Sequence, residues 1–165
     1  MLTSGSKVEA IELDGDGDTD LFVGGRVLSG RYPLAPRSYL LQNDGGRFTD
    51  VTEQFAPELM NPGMVTDAVW ADLNNNGRPE LVVAGEWMPI RVFEQNADQT
   101  FTEQTKAAEL TATSGWWNVL KVADLNSDGF LDIIAGNHGL NTLLNASAIS
   151  SLLTYPQTNL CKSSK

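Results

Sequence analysis

The 165-residue sequence predicts an all-β fold of four-stranded antiparallel blades of the β-propeller type, about two and a half to three repeats forming a partial ring. Three observations predict it. An oxygen-rich loop with glycine at a fixed place occurs three times in register. Apolar runs of strand length bracket each copy. A hairpin of matching residue kinds follows the first two copies.

The clearest loop is Asp124-Leu-Asn126-Ser-Asp128-Gly129-Phe130-Leu-Asp132, with oxygen-bearing side chains at positions 1, 3, 5 and 9 and glycine at position 6. Alternate side chains converge, so Asp124, Asn126 and Asp128 face one point. Gly129 supplies the positive φ that turns the chain, which a residue with a Cβ resists. The carbonyl of Phe130 then faces the same point and Asp132 closes it. Oxygen-only ligation suits Ca²⁺, held at ~2.3–2.6 Å by six to eight oxygens. The flanks read as strands, which separates the loop from an EF-hand.

Two further copies are Asp72-Leu-Asn74-Asn-Asn76-Gly77-Arg78-Pro-Glu80 and Glu12-Leu-Asp14-Gly-Asp16-Gly17-Asp18-Thr-Asp20. A register starting at Asp14 puts Thr19 at the turn and Phe22 at the closing place, so Glu12 is position 1. The three starts are 60 and 52 residues apart, the period of a propeller, solenoid or array.

In chain order, residues 7–12 are the first strand and Leu21–Gly25 its partner. Residues 26–37 form a breaker-rich excursion with Gly30, Pro33 and Pro36. Ser38–Gln42 and Arg47–Val51 pair through the turn Asn43-Asp-Gly-Gly46. Thr52–Pro62 connects, with a short helical turn. The second unit repeats this order with strands at 65–71, 80–85, 90–94 and 100–104, and Phe48 and Thr52 match Phe101 and Thr105. Lys106–Gly115 leads to the third unit, with strands at 119–123 and 131–136, a third at 141–145 and one more from 147–153. The repeats are therefore set at 1–62, 63–112 and an incomplete 113–155, with 156–165 a disordered tail. Four strands in ~40–50 residues is the propeller unit.

A formal charge of −10 disfavours nucleic acid and anionic membrane surfaces as partners. Ten of the 21 acidic residues lie in the loops, while Glu53, Glu58 and Glu103 read as solvated surface. The single cysteine, Cys161, excludes an internal disulfide and zinc–thiolate chemistry. No run is long and apolar enough for membrane insertion, and no signal-peptide core follows Met1. Weak calcium sites fill outside the cytosol, so an extracellular, periplasmic or cell-surface parent is expected, its signal lying outside this chain.

The loops, the apolar strands after them, and the segments VVAGEWMPIRVFE, SGWWN and AGNHGLNTLL resemble FG-GAP/VCBS repeats, and more narrowly bacterial relatives of cartilage acidic protein. The resemblance spans roughly residues 7–145 and implies the calcium-binding blades of integrin-α-like propellers. It implies as ligands Asp124, Asn126, Asp128, the Phe130 carbonyl and Asp132. In the second loop they are Asp72, Asn74, Asn76, the Arg78 carbonyl and Glu80. In the first they are Glu12, Asp14, Asp16, the Asp18 carbonyl and Asp20. Glu12 is longer than the usual Asp, and the second loop keeps only two carboxylates. The expected affinity order is therefore third, first, second. A family propeller has about seven blades, so the arc is expected to need further blades or other copies of itself to close.

A metal enclosed by protein ligands activates no substrate, so no enzyme is expected. The expected function is a calcium-stabilised module binding protein or glycan, with 26–37 as a contact loop. The alternatives are a fragment of a hydrolase acting on polysaccharide or phosphoester, and a structural spacer. Of Trp116 and Trp117, one is expected inside and one outside, since strand neighbours face opposite ways. Trp70 and Trp87 are expected between blades, and His138 in a turn or core. Glu86 and His138 are placed to share a rim. The sequon Asn145-Ala-Ser147 carries no weight.

Overall fold

Each nine-residue loop joins two antiparallel strands, as its alternation requires. The computed structural model describes residues 3–138 and 152–155. In the first unit β1 (Thr3–Ile11), β2 (Asp20–Leu28), β3 (Tyr39–Asp44) and β4 (Arg47–Asp50) form a sheet in that order. β5 (Met64–Ala71), β6 (Glu80–Met88), β7 (Arg91–Gln95) and β8 (Phe101–Glu103) repeat it. β9 (Gly115–Ala123) and β10 (Asp132–Asn137) begin the third, and β11 (Leu152–Tyr155) pairs with β10.

The all-β reading holds, and the four-strand order holds in the first two units. Of the last strand expected at 147–153, the described part belongs to β11, which runs to Tyr155 and lies directly against β10. The third strand expected at 141–145 and the tail expected from 156 lie outside the described residues. Between the first two units, α1 (Thr52–Phe55) and a 3-10 turn at Pro57–Met60 supply the expected helical connection. Thr52 and Thr105 do the same work in both units. Each is buried, and its hydroxyl accepts a β-strand N–H, from Leu40 at 2.7 Å and from Val92 at 3.2 Å.

Two buried layers lie between the units. Side chains along a strand alternate between faces, and β6 is buried on both. Leu81 and Val83 join Phe22, Leu40, Val65 and Phe93 on one side. Val82 and Ala84 join Ile90, Val92, Trp117, Leu120 and Ile133 on the other. Stacking face against face is what a blade needs, because neither face of a lone four-stranded sheet finds cover by itself.

One pairing departs from separate blades. Glu86 and Met88 of β6 pair with Trp116 and Gly115 of β9, which ties the second and third units into one seven-stranded sheet. β6 and β9 both start earlier or run further than their apolar runs alone suggest, so Trp116 and Trp117 sit within a strand. β2 likewise extends through Arg26 to Leu28, shortening the expected excursion.

Candidate functional site

The three loops share one network. The N–H at position 2 donates to the closing acid: Leu13 to Asp20 Oδ2 at 2.8 Å, Leu73 to Glu80 Oε2 at 2.8 Å, Leu125 to Asp132 Oδ2 at 2.9 Å. The position 6 glycine donates to the first acid: Gly17 to Glu12, Gly77 to Asp72, Gly129 to Asp124, at 2.8–2.9 Å. Position 5 donates to the position 3 side chain, and position 7 to the position 5 side chain, in all three. Thus the backbone N–H groups of Asp18, Arg78 and Phe130 are tied to Asp16, Asn76 and Asp128. The register starting at Glu12 is the one the first loop adopts.

Two positions per loop turn left-handed. Gly17, Gly77 and Gly129 have φ of 91°, 82° and 87°, as their identity suggests. Position 4 does so too, with Gly15 at 84°, Asn75 at 57° and Ser127 at 61°. Only the first loop has glycine there, and asparagine tolerates that region better than serine, so sequence reasoning found one turn of the two. Glu12 uses its extra methylene to cap Gly15 as well, whereas Asp72 and Asp124 cap Asn76 and Asp128.

These bonds are the self-capping of a plain Asx turn, yet they leave the charge unanswered. A carboxylate has about four lone-pair sites and these N–H groups take only some of them. The five ion pairs among the described residues engage Glu9, Asp67, Glu86, Asp50 and Glu103, and none of the ten loop acids. Carboxylate oxygens of Glu12, Asp14 and Asp20 lie within 4.8 Å of one another, the one such acidic group among the described residues. At Asp16 the N–H of Asp18 favours the anion, but desolvation and the charges of Asp14, Asp18 and Glu12 outweigh it and raise the pKa above 3.8. Glu80 is buried, and its carboxyl is pushed up to about 7, first by desolvation and then by Glu94 and Asp72. Crowded oxygens without a basic partner are what a hard divalent cation relieves.

Supporting residues came from outside the motif. After β3 residue Leu41 and its β7 equivalent Phe93, Gln42 donates to Asp14 and Glu94 stands 3.4 Å from Asn74 Nδ2. Asn43 and Gly45 of the β3–β4 turn donate to Asp20 and Asp18 at 2.7 and 2.6 Å. Only strand pairing brings them to the loop. Asn75 Nδ2 donates to the Gly129 carbonyl at 2.8 Å, so the second and third loops touch.

Family models for the FG-GAP-like repeat match residues 12–83 and 72–135. The chain belongs to this family. The two FG-GAP matches together cover all three loops and the strands between them, which establishes the FG-GAP part of the resemblance seen in the sequence. A comparison with curated proteins gives no match.

At the other end of the FG-GAP strands, six residues past Asp20, Glu80 and Asp132, stand Arg26, Glu86 and His138. Arg26 Nη2 meets Glu86 Oε1 at 2.9 Å. The His138 N–H donates to the Trp116 carbonyl at 2.8 Å, and the two rings stack at 5.4 Å. Glu86 pairs with that same Trp116 across the ladder, so the shared rim forms with Trp116 between the two. His138 is exposed. Of the tryptophan pair, Trp117 is buried and Trp116 half-buried, as strand alternation requires. Trp70 packs against the first buried layer, its ring 6.0 Å from Phe101. Trp87 corrects the expectation of an inter-blade place. It is 47% exposed, because its φ of +60° at the end of β6 turns the side chain off the strand's alternation. Glu103 corrects its own reading as free surface, since Arg91 holds it at 2.5 Å. Cys161 and the sequon lie outside the described residues.

Proposed function

We propose that this FG-GAP repeat chain is a calcium-stabilised binding module of an exported protein, without catalytic chemistry of its own. One observation carries it: ten acidic side chains are gathered in three loops, and no lysine or arginine among the described residues pairs with any of them. When bound, Ca²⁺ supplies the countercharge, held by Glu12, Asp14, Asp16 and Asp20 with the Asp18 carbonyl in the first loop. Asp72, Asn74, Asn76 and Glu80 with Arg78, and Asp124, Asn126, Asp128 and Asp132 with Phe130, do so in the other two. The first loop heads the affinity order rather than the third, because it carries five acids and its carboxylates are already gathered. The ion's role is structural, fixing the hairpin ends against their own repulsion.

Val8, Val23 and Tyr39, with Ala10, Leu21 and Leu41, share the outer face of the first sheet by their pairing, and Val8 is 56% exposed. An apolar sheet face of this kind takes another blade, from the remainder of a larger propeller or from a second copy. The protein or glycan contacts of the module fall on the rim away from the ions. Calorimetry and thermal melting with Ca²⁺, Mg²⁺ and a chelator test the calcium reading: heat uptake and a raised midpoint specific to Ca²⁺ are expected, and no change in either would sink it.

A further inference from the structure

Aromatic side chains from four separate segments line up on the rim opposite the loops. Trp87 Nε1 donates to the Tyr32 hydroxyl at 2.7 Å, the Trp87 and Trp116 rings lie 5.3 Å apart, and Trp116 stacks on His138 at 5.4 Å. Tyr32 is 52% and Trp87 47% exposed. Such rings are normally turned inward, and here one is held outward by a left-handed backbone that a bulky residue rarely adopts. Strain of this kind persists where the surrounding structure enforces it, and it concentrates at binding sites.

The row has a hollow at each end. One, of about 410 Å³, lies between Tyr32 and Trp87 over Pro33, Ala35, Met64 and Met88. The other, of about 390 Å³, lies beside Asn118 and His138. Both are within the size range of small-ligand sites. Planar polar groups flank the row at both ends: Arg26, 45% exposed and bonded to Glu86, and Asn118, whose Nδ2 meets His138 Nδ1 at 2.8 Å.

We propose that this rim binds an extended neutral oligosaccharide. The chemistry is matched on both counts. A pyranose presents an apolar C–H face, which an indole or phenol ring covers, and hydroxyl groups at its edge, which the polar side chains of Arg26, Asn118 and His138 meet with hydrogen bonds. Two hollows joined by a ring row suit a chain of several sugars rather than one. Arg26 at the row's end already answers Glu86, so it offers no spare countercharge to sulfated and uronic-acid polymers, which leaves neutral glycans. The inference rests on the binding-module reading and gives it a surface and a ligand class.

The calcium-loaded protein is titrated with neutral oligosaccharides of glucose, N-acetylglucosamine and mannose, read by tryptophan emission and calorimetry. At least one series gives a saturable response. Trp87→Gly removes the ring and relieves the positive φ, so it keeps the fold, checked by its thermal midpoint, and weakens binding roughly tenfold or more. Phe48→Ala, which removes an exposed ring of β4, leaves affinity unchanged. No saturable response from any of the three series, equal binding by Trp87→Gly, or a Trp87-dependent response to a proline-rich peptide in place of sugar overturns the proposal. Calcium stabilisation is read separately by melting, so failure of the ion reading and failure of the glycan reading give different results.

Discussion

Arg26 of the first repeat and Glu86 of the second occupy the same repeat position and meet each other at 2.9 Å. A carboxylate only 6% exposed thereby gains its countercharge from the neighbouring unit. Arg26→Ala leaves that carboxylate buried and unpaired. It is expected to cost about 1–2 kcal/mol by urea denaturation, tempered because the arginine is half in solvent. Adding Glu86→Gln to Arg26→Ala recovers part of the loss, and a double-mutant cycle measures how much.

The Glu80 carboxyl gives a pH test. Its pKa is raised by burial to about 7 from 4.5, so the ion-free protein has full stability from this group below 4.5 and loses it as pH rises through about 7. Glu80→Gln removes that loss. With saturating Ca²⁺ the dependence flattens in the parent, since the ion competes with the proton. Melting curves across pH 5–8, with and without Ca²⁺, check both signs.

Glu103 has the opposite sign. The hydrogen bond from Arg91 leads in lowering its pKa below 4.5. Its stabilisation is present above 4.5 and disappears as pH falls through the lowered value. In Arg91→Ala that acid-side component vanishes, so the acid limb of its stability curve is shallower than the parent's.

A glycine test separates packing from conformation. A Cβ on Gly85 meets the Met64 carbonyl oxygen at 2.2 Å and Met88 sulfur at 2.6 Å, where β5 crosses close to β6. Gly85→Ala is expected to cost about 2 kcal/mol or more. On Gly5 the nearest atom is at 3.6 Å, and Gly5→Ala changes stability by less than about 0.5 kcal/mol. Denaturant midpoints decide.

The outer face of the first sheet predicts association. Val8→Glu sets a charge among Val23 and Tyr39, and light scattering is expected to show less self-association than in the parent. An equally associated Val8→Glu excludes this face as the contact.

Much of this was written locally. A nine-residue loop folds through bonds within itself, so Asp124, Asn126, Asp128 and Asp132 announce their turn in any context. The strands were legible because apolar runs of strand length mark them, as at Leu81–Ala84, a stretch buried on both faces. Position 4 of the loops was not, since Asn75 and Ser127 adopt a left-handed backbone under the pull of caps two residues away. Trp87 was misplaced for a related reason: alternation predicts a face only while the strand stays regular.

By itself, the sequence determined the repeated unit, its family and the places where negative charge crowds, because these depend on neighbours within about ten residues. The tertiary structure decided which units touch and how. It brought Gln42 and Glu94 to the loops, joined Arg26 to Glu86, and aligned Tyr32, Trp87, Trp116 and His138 on one rim. Those meetings span tens of residues, and only the stacking of one sheet on the next sets their distances.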